Sequence, residues 1–260
     1  MKMMVQHFPS TRMMAVNTAD YIVETARESV GKKGYFTLVL SGGSSPRPLY
    51  ELLATPGYAD AIPWCETHLF WGDERCVPPD NPMSNYRMAC DTFIRYVSIP
   101  EENVHRIYGE LDSSDDAVLD YEREIDGFFS ACDEGYSGTP SFDLILLGLG
   151  SDGHTASLFP GSPALLLTDH AVVAADAPES APVPHRITMT LQAICNAGRV
   201  VFFVSGAGKK AIVRSILAGD GDSLAYPASM VRAQSDLVWF TDLGADAGGV
   251  ILDWQEMPDQ

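Results

Sequence analysis

The sequence predicts an α/β protein built on a doubly wound, mostly parallel sheet with helices on both faces. Three observations predict it. Short apolar runs rich in Val, Leu and Phe recur along all 260 residues. Several of these runs are continuous instead of alternating, as strands covered on both faces require. Amphipathic helical stripes lie between them, and alternation of strand and helix implies right-handed crossovers in an open, Rossmann-like sheet.

In chain order the expected strands are Tyr35–Leu40, Thr67–Trp71, Phe142–Leu147, Ala171–Ala174, Val200–Val204 and Leu237–Thr241. The first expected helix is Ala19–Val30, where Ala19, Ile22, Val23, Ala26 and Val30 form one stripe. Asn85–Tyr96 is the second. In the third, Asp116–Ala131, the apolar face is Val118, Tyr121, Ile125, Phe128 and Phe129, and Gly208–Leu217 is the fourth. The connections "DEGYSGTPS" and "DAPESAPVP" are too short to demand a domain boundary, and no internal repeat is visible, so residues 1–260 read as a single α/β domain. The terminal "DWQEMPDQ" reads as a loose end.

Composition removes several function classes. With 46% apolar residues the chain can bury a substantial core, and its 10 methionines can fill gaps in it. The formal charge of -18, from 17 basic and 35 acidic residues, repels nucleic acid and anionic lipid, so neither is an expected partner. An anionic metabolite would need the few cations gathered at its site. The odd, widely spaced cysteines Cys65, Cys76, Cys90, Cys132 and Cys195 form no C-x-x-C pair and read as reduced, core or half-buried thiols of a cytoplasmic protein. Gln6, His7 and Pro9 interrupt any export signal, and no apolar run is long enough to span a membrane.

In a doubly wound sheet ligands bind beyond the C-terminal ends of the strands, so the residues after each run carry the functional information. The first such loop is "LSGGSSPRPLYELL". Gly42 and Gly43 allow a tight turn, Ser44 or Ser45 can cap a helix, and Pro46 suits its first turn. Free amides with Arg47 nearby make an anion site suited to phosphate, although no G-K-[ST] follows and an ordinary βα turn has the same composition.

The second loop, "FWGDERCVPPDNPMSNYRMA", brings Asp73, Glu74 and Arg75 directly off a strand, followed by the stiffening Pro78, Pro79 and Pro82. Arg75 can face a developing oxyanion, with Asp73 or Glu74 orienting it; a surface ion pair is the plainer reading.

The third loop, "LLGLGSDGHTASLFPGS", matches G-x-G-x-x-G at Gly148, Gly150 and Gly153. A dinucleotide site wants a long helix next, whereas Pro160 and Pro163 limit a helix here to about two turns. Asp169 precedes the next run, and only Asp176 keeps the nucleotide reading open. At the start of a short helix His154 would be disfavoured as a cation and available as a neutral base, with Asp152 close enough in sequence to influence it. Arg186 in "PHRITMT" and Lys209 and Lys210 in "FFVSGAGKKAIV" add cations at the same sheet edge. Arg47, Arg75, Arg186 and Lys209 together suggest a positive pocket.

Other chemistries lack their residues. No G-x-S-x-G occurs, and His68, His105, His170 and His185 are scattered without H-E-x-x-H or cysteine pairing, so no metal site is expected.

The pieces "LSGGSSP", "FWGDERCVPPDNPMSNY", "LLGLGSDGHTASLFP", "HRITMT" and "SGAGKK" resemble the 6-phosphogluconolactonase family. Glucosamine-6-phosphate deaminases resemble a different continuation after the D-G-H histidine. The resemblance implies the doubly wound fold shared with those deaminases and with ribose-5-phosphate isomerases, no cofactor, and a cytosolic location. It implies general-base work for His154, electrostatic help from Arg75, and phosphate binding by Gly42, Gly43, Arg47, Arg186 and Lys209. Asp152 is expected to orient His154, while Asp73 serves either His154 or Arg75. The implied reaction is metal-free hydrolysis of 6-phospho-D-glucono-1,5-lactone in the pentose phosphate pathway, a step of carbohydrate metabolism. The implied partner is a phosphorylated sugar lactone, and a monomer is expected with a small homo-oligomer as the alternative. A sugar-phosphate isomerase or deaminase, and a non-enzymatic sugar-phosphate-binding protein, are the rival readings.

Overall fold

Every residue of Phe36–Leu40 and of Leu144–Leu147 is buried, as two-sided coverage of a central strand requires. The computed structural model describes residues 2–133, 135–219 and 223–244; the expected loose end at 253–260 lies outside them. In chain order the elements are β1 (Lys2–His7), α1 (Thr11–Lys33), β2 (Phe36–Leu40), α2 (Arg47–Leu53), α3 (Pro56–Ala59), β3 (Thr67–Trp71), β4 (Asp73–Arg75), α4 (Asn85–Thr92) and α5 (Ser114–Cys132). They continue with β5 (Leu144–Leu147), β6 (Val172–Asp176), β7 (His185–Met189), α6 (Leu191–Cys195), β8 (Arg199–Ser205), α7 (Lys210–Ala218) and β9 (Asp236–Asp242).

Six strands form a parallel sheet in the order β1-β9-β8-β5-β2-β3. From β2 the chain proceeds outward to β3 on one side, then returns to β5 on the other, so β2 and β5 flank the topological switch point. The two loops that leave these strands are "SGGSSP" and "GLGSDGH". A second sheet, antiparallel in the order β4-β7-β6, stands at the C-terminal end of β3. Gly72 joins the two sheets, its N–H donating to Leu40 at 3.0 Å and its carbonyl accepting from Met189 at 2.8 Å.

The apolar run at Ala171–Ala174 therefore belongs to the small antiparallel sheet. β1, β4 and β7 were not expected as strands. β1 is a half-exposed edge, while β4 and β7 are short and carry charged or polar side chains. α1 starts eight residues before the expected stripe because its buried face there includes Thr18, whose hydroxyl donates to the Met14 carbonyl. Ser10 caps its first turn and Gly34, at φ 83°, closes it. α4 ends at Thr92, and Ile94–Tyr96 forms a separate 3-10 turn after Phe93. Of the five free cysteines, Cys90 is buried, Cys76 and Cys195 are half-buried, but Cys65 and Cys132 are exposed instead of packed.

Two buried tyrosines fix the C-terminal ends of β2 and β3. The Tyr50 hydroxyl from α2 accepts from Ser41 N–H at 3.0 Å and donates to the Ser41 carbonyl at 2.8 Å. Tyr121 from α5 does the same to Trp71, at 2.8 and 3.1 Å. Each phenol satisfies both backbone groups of one residue, Ser41 just past β2 and Trp71 the last of the edge strand β3.

Candidate active site

The D-G-H turn is closed by its own backbone. Gly150 N–H donates to the His154 carbonyl at 2.8 Å, and Gly153, at φ 86°, adopts the left-handed conformation that glycine tolerates. Within this turn His154 Nδ1 lies 2.6 Å from Asp152 Oδ1. A methyl group at Gly150 would sit 2.1 Å from that nitrogen, so glycine is required for the dyad to form. Burial pushes the Asp152 carboxyl up, but the His154 charge and hydrogen bonds outweigh it and hold the group below its ordinary value. An ionised Asp152 accepts the Nδ1 proton, which fixes the tautomer and leaves Nε2 as the basic nitrogen.

No helix follows His154. Thr155 is pinned by its hydroxyl to the Gly148 carbonyl at 2.9 Å, Ala156 turns left-handed at φ 48°, and Leu158 N–H returns to the Thr155 carbonyl at 2.9 Å. The expected helix dipole is therefore absent, and the contact that holds the imidazole is the one with Asp152. Phe159 packs its ring on His154 at 4.7 Å between centroids. The dinucleotide reading fails with the helix, and Asp176 ends a strand of the small sheet, not of the parallel one.

Opposite this turn lies a pair of cations. Arg75 on β4 and Arg186 on β7 are register partners, and Arg75 donates to the Met83 carbonyl at 2.5 Å. Burial, and after it the neighbouring Arg75 charge, lowers Arg186 from its ordinary value although Asp73 and Glu74 oppose the shift. Among the described residues the buried side-chain polar atoms without a protein partner are Ser41 Oγ, Trp71 Nε1, Arg75 Nε, Asn85 Oδ1 and Arg186 Nε. All five belong to segments at the C-terminal edge of β2 and β3. Unpartnered buried polar groups are rare in cores and collect where a ligand is bound.

The remaining expected residues are less tightly gathered. Gly42 is pressed against Asn85, whose Oδ1 would lie 2.0 Å from a methyl at that position, and Gly43 turns at φ 83°. Neither Ser44 nor Ser45 caps α2; Pro46 occupies the cap position without a side-chain bond, and Pro48 falls in the first turn. Arg47 is half exposed and pairs with Glu51 at 3.7 Å. Lys209 stands at the start of α7, lowered by burial but close enough to Asp152 to feel its charge.

Asp73 contacts neither His154 nor the Arg75 guanidinium through any hydrogen bond among the described residues. Its Oδ2 accepts from Ser157 at 2.7 Å and its Oδ1 from Asn85 at 3.2 Å. Glu74 accepts from the N–H groups of Arg75, Asn85 and Tyr86 and from the Ser84 hydroxyl, so it caps α4. Burial raises its carboxyl above the ordinary range in spite of those bonds. Ser157, Asn85, Tyr50 and Phe159 were not anticipated, although the first two fall inside the motif stretches and are polar residues at buried positions. No group of three or more His, Cys, Asp or Glu among the described residues is arranged to hold a metal ion.

A doubly wound α/β sheet with an aspartate-paired histidine on the loop after β5 and facing arginines in the small sheet beyond β3 defines an enzyme class that acts on small anionic substrates. The profile described as glucosamine-6-phosphate isomerases/6-phosphogluconolactonase matches residues 9–239, and the chain belongs to that family. It is 36% identical over 247 residues to the 6-phosphogluconolactonase of Nostoc sp., covering 95% of this chain and 98% of the relative. It is 41% identical over 215 residues to that of Synechocystis sp., covering 83% and 85%. The crystal structure of 6-phosphogluconolactonase from Thermotoga maritima is similar at TM-score 0.77 and 31% identity, covering 93% of this chain and 100% of that one.

Proposed function

We propose that the chain hydrolyses 6-phospho-D-glucono-1,5-lactone to 6-phospho-D-gluconate, in the oxidative branch of the pentose phosphate pathway. The observation that carries the chemistry is the Asp152–His154 dyad, 2.6 Å apart, on the sheet edge that also holds Arg75 and Arg186. His154 Nε2 takes a proton from water as the water oxygen bonds to the lactone carbonyl carbon. Arg75 and nearby amides stabilise the oxyanion, each good donor contributing about 3 kcal/mol. The intermediate then collapses, the bond from the carbonyl carbon to the ring oxygen breaks, and Nε2 returns its proton to that oxygen. The product is a single open-chain molecule that carries both the new carboxylic acid and the hydroxyl freed from the ring.

The substrate phosphate is bound away from the bond change, by the Gly42 and Gly43 backbone with Arg47, Arg186 and Lys209. Such remote binding orients the carbonyl without entering the reaction. The pairing of Arg75 with Arg186 supports this reading, because two neighbouring like charges, Arg186 buried and Arg75 half-buried, with unpartnered buried Nε atoms are stabilised by an anion.

An isomerase or deaminase would need a carboxylate to move a proton between C1 and C2. At this edge Asp152 is engaged by His154, Asp73 by Ser157 and Asn85, and Glu74 by the start of α4. That occupancy favours the lactonase. No helix among the described residues is long and apolar enough to cross a membrane. The simplest form of the reading is a cytoplasmic monomer with one α/β domain and no nucleic-acid partner. The test is acid release from freshly generated lactone against an enzyme-free blank, with ammonia release from glucosamine 6-phosphate in parallel. Acceleration only of the first supports the proposal, and acceleration only of the second replaces it with the deaminase.

A further inference from the structure

We propose that Asp73 is a positioning residue, not an acid or base, and that with Ser157 and Asn85 it forms a buried bridge setting His154 against Arg75. The lactonase reading supplies the reaction for its kinetic test. Three site segments meet at this carboxylate: β4, which carries it, the loop after His154, and the start of α4. Arg75 lies two residues beyond Asp73 on β4. Ser157, three residues beyond His154, donates its hydroxyl to Asp73 Oδ2 at 2.7 Å. Asn85, the first residue of α4, donates Nδ2 to Asp73 Oδ1 at 3.2 Å and to the Asp73 carbonyl at 2.8 Å, while its side chain fills the space beside Gly42. Ser157 N–H also donates to the Thr188 hydroxyl at 3.2 Å, and Thr188 is the register partner of Asp73.

The backbone between His154 and Ser157 shows why a bridge is needed. Ala156, at φ 48°, is the only non-glycine residue with positive φ among the described residues. A left-handed alanine is strained by its own Cβ and persists only where its surroundings hold it. Its two neighbours are the ones that are tied down, Thr155 to Gly148 and Ser157 to Asp73 and Thr188. The strain at Ala156 is thus held on one side by the β5 loop and on the other by the Asp73 carboxylate. Ser157, Asp73 and Asn85 are 1%, 7% and 1% exposed, so water does not compete freely for these bonds.

A positioning role and a base role predict different variants. Ser157→Ala and Asp73→Ala should each lower kcat about 10-fold or more while KM changes less than about 3-fold, the pattern of a displaced group that acts in the transition state. The double variant should be no worse than the poorer single, because both remove one bridge. Asp73→Asn keeps one of the two acceptor positions and should fall between wild type and Asp73→Ala, with the acid limb of the pH profile unmoved. Hydrogen exchange of residues 150–158 in the same folded variants, checked by Tm, should be faster than in wild type, and this readout needs no substrate. Two kinetic results would overturn the proposal: Ser157→Ala within twofold of wild type, or Asp73→Asn at least about 100-fold down with the acid limb lost, as for a removed base. Unchanged exchange in both Ser157→Ala and Asp73→Ala would overturn it too. Should wild type leave the lactone untouched, the lactonase reading falls and exchange alone decides the bridge.

Discussion

Arg75 and Arg186 stand opposite one another in the β4–β7 register, each with a buried Nε that no protein group accepts from. Like charges placed directly across a strand pair destabilise it. The small sheet therefore holds a repulsion that a bound anion would relieve, and the proposed phosphate site would link ligand binding to fold stability through these two side chains.

Arg186→Met should separate the two effects. Without ligand the variant is expected to melt at the wild-type temperature or above it, since a buried charge beside a like charge has been removed. With ligand the order reverses. At 100 times its Kd, 6-phosphogluconate should stabilise wild type by about 2.7 kcal/mol and the variant by far less, and KM for the lactone should rise at least about 10-fold. A variant stabilised as strongly as wild type in thermal-shift titration would remove Arg186 from the phosphate site.

Gly150→Ala tests the dyad through the backbone. A methyl there would lie 2.1 Å from His154 Nδ1 and 2.4 Å from Asp152 Oδ1, distances that real contacts do not reach. The three nearest atoms all belong to these two side chains, so it is they that must part. The expected outcome is a kcat loss approaching that of His154→Ala, at least about 100-fold, with circular dichroism and Tm close to wild type. Near-wild-type turnover would show that the 2.6 Å contact is not needed.

The parallel sheet was legible because β2, β3, β5, β8 and β9 are continuous apolar runs, and burial on both faces leaves no other composition open to them. β4 and β7 were illegible for the opposite reason. Their side chains serve the site, so Asp73, Arg75 and Arg186 give a polar signature that reads as loop. His154 could be singled out from G-x-G-x-x-G-H alone, but its surroundings could not. The left-handed Ala156 and the Thr155–Leu158 closure leave no mark in composition, and a short helix is what propensity suggests. Asp152 could be paired with His154 by proximity, whereas the Ser157–Asp73 contact joins residues 84 positions apart and needs the folded chain.

Asp152→Asn should lower kcat by about 10- to 100-fold, as an amide can no longer hold the Nδ1–H tautomer or stabilise the imidazolium that forms. The sign of its pH effect follows from the lowered carboxyl. Asp152 is ionised above its unfolded value and stays so until pH falls through the still lower folded value, so the wild-type dyad is intact throughout the neutral range. The variant's loss should accordingly be constant from pH 6 to 8, read as parallel kcat profiles. A loss that vanished at one end of that window would mean that Asp152 itself titrates in the reaction.

A second histidine arrangement, between β3 and α5, is expected to make stability depend on pH in acid. His68 Nδ1 is 3.0 Å from His105 Nε2, and His105 Nδ1 is 2.6 Å from Glu124 Oε1. Phe70 and Phe128 pack on these rings. Burial, and after it the His105 charge, drives His68 down to about 4, and burial lowers His105 against the pull of Glu124. Below the ordinary value of 6.5 the unfolded chain binds protons that the folded chain refuses until about pH 4, so stability is lost as pH falls through that window. His68→Gln removes the titrating group and keeps an amide to meet His105, and its Tm should fall less steeply than wild type between pH 6.5 and 4. Curves that stay parallel across that range would assign the acid sensitivity to the carboxylates, since a histidine already charged in the folded state contributes no slope there.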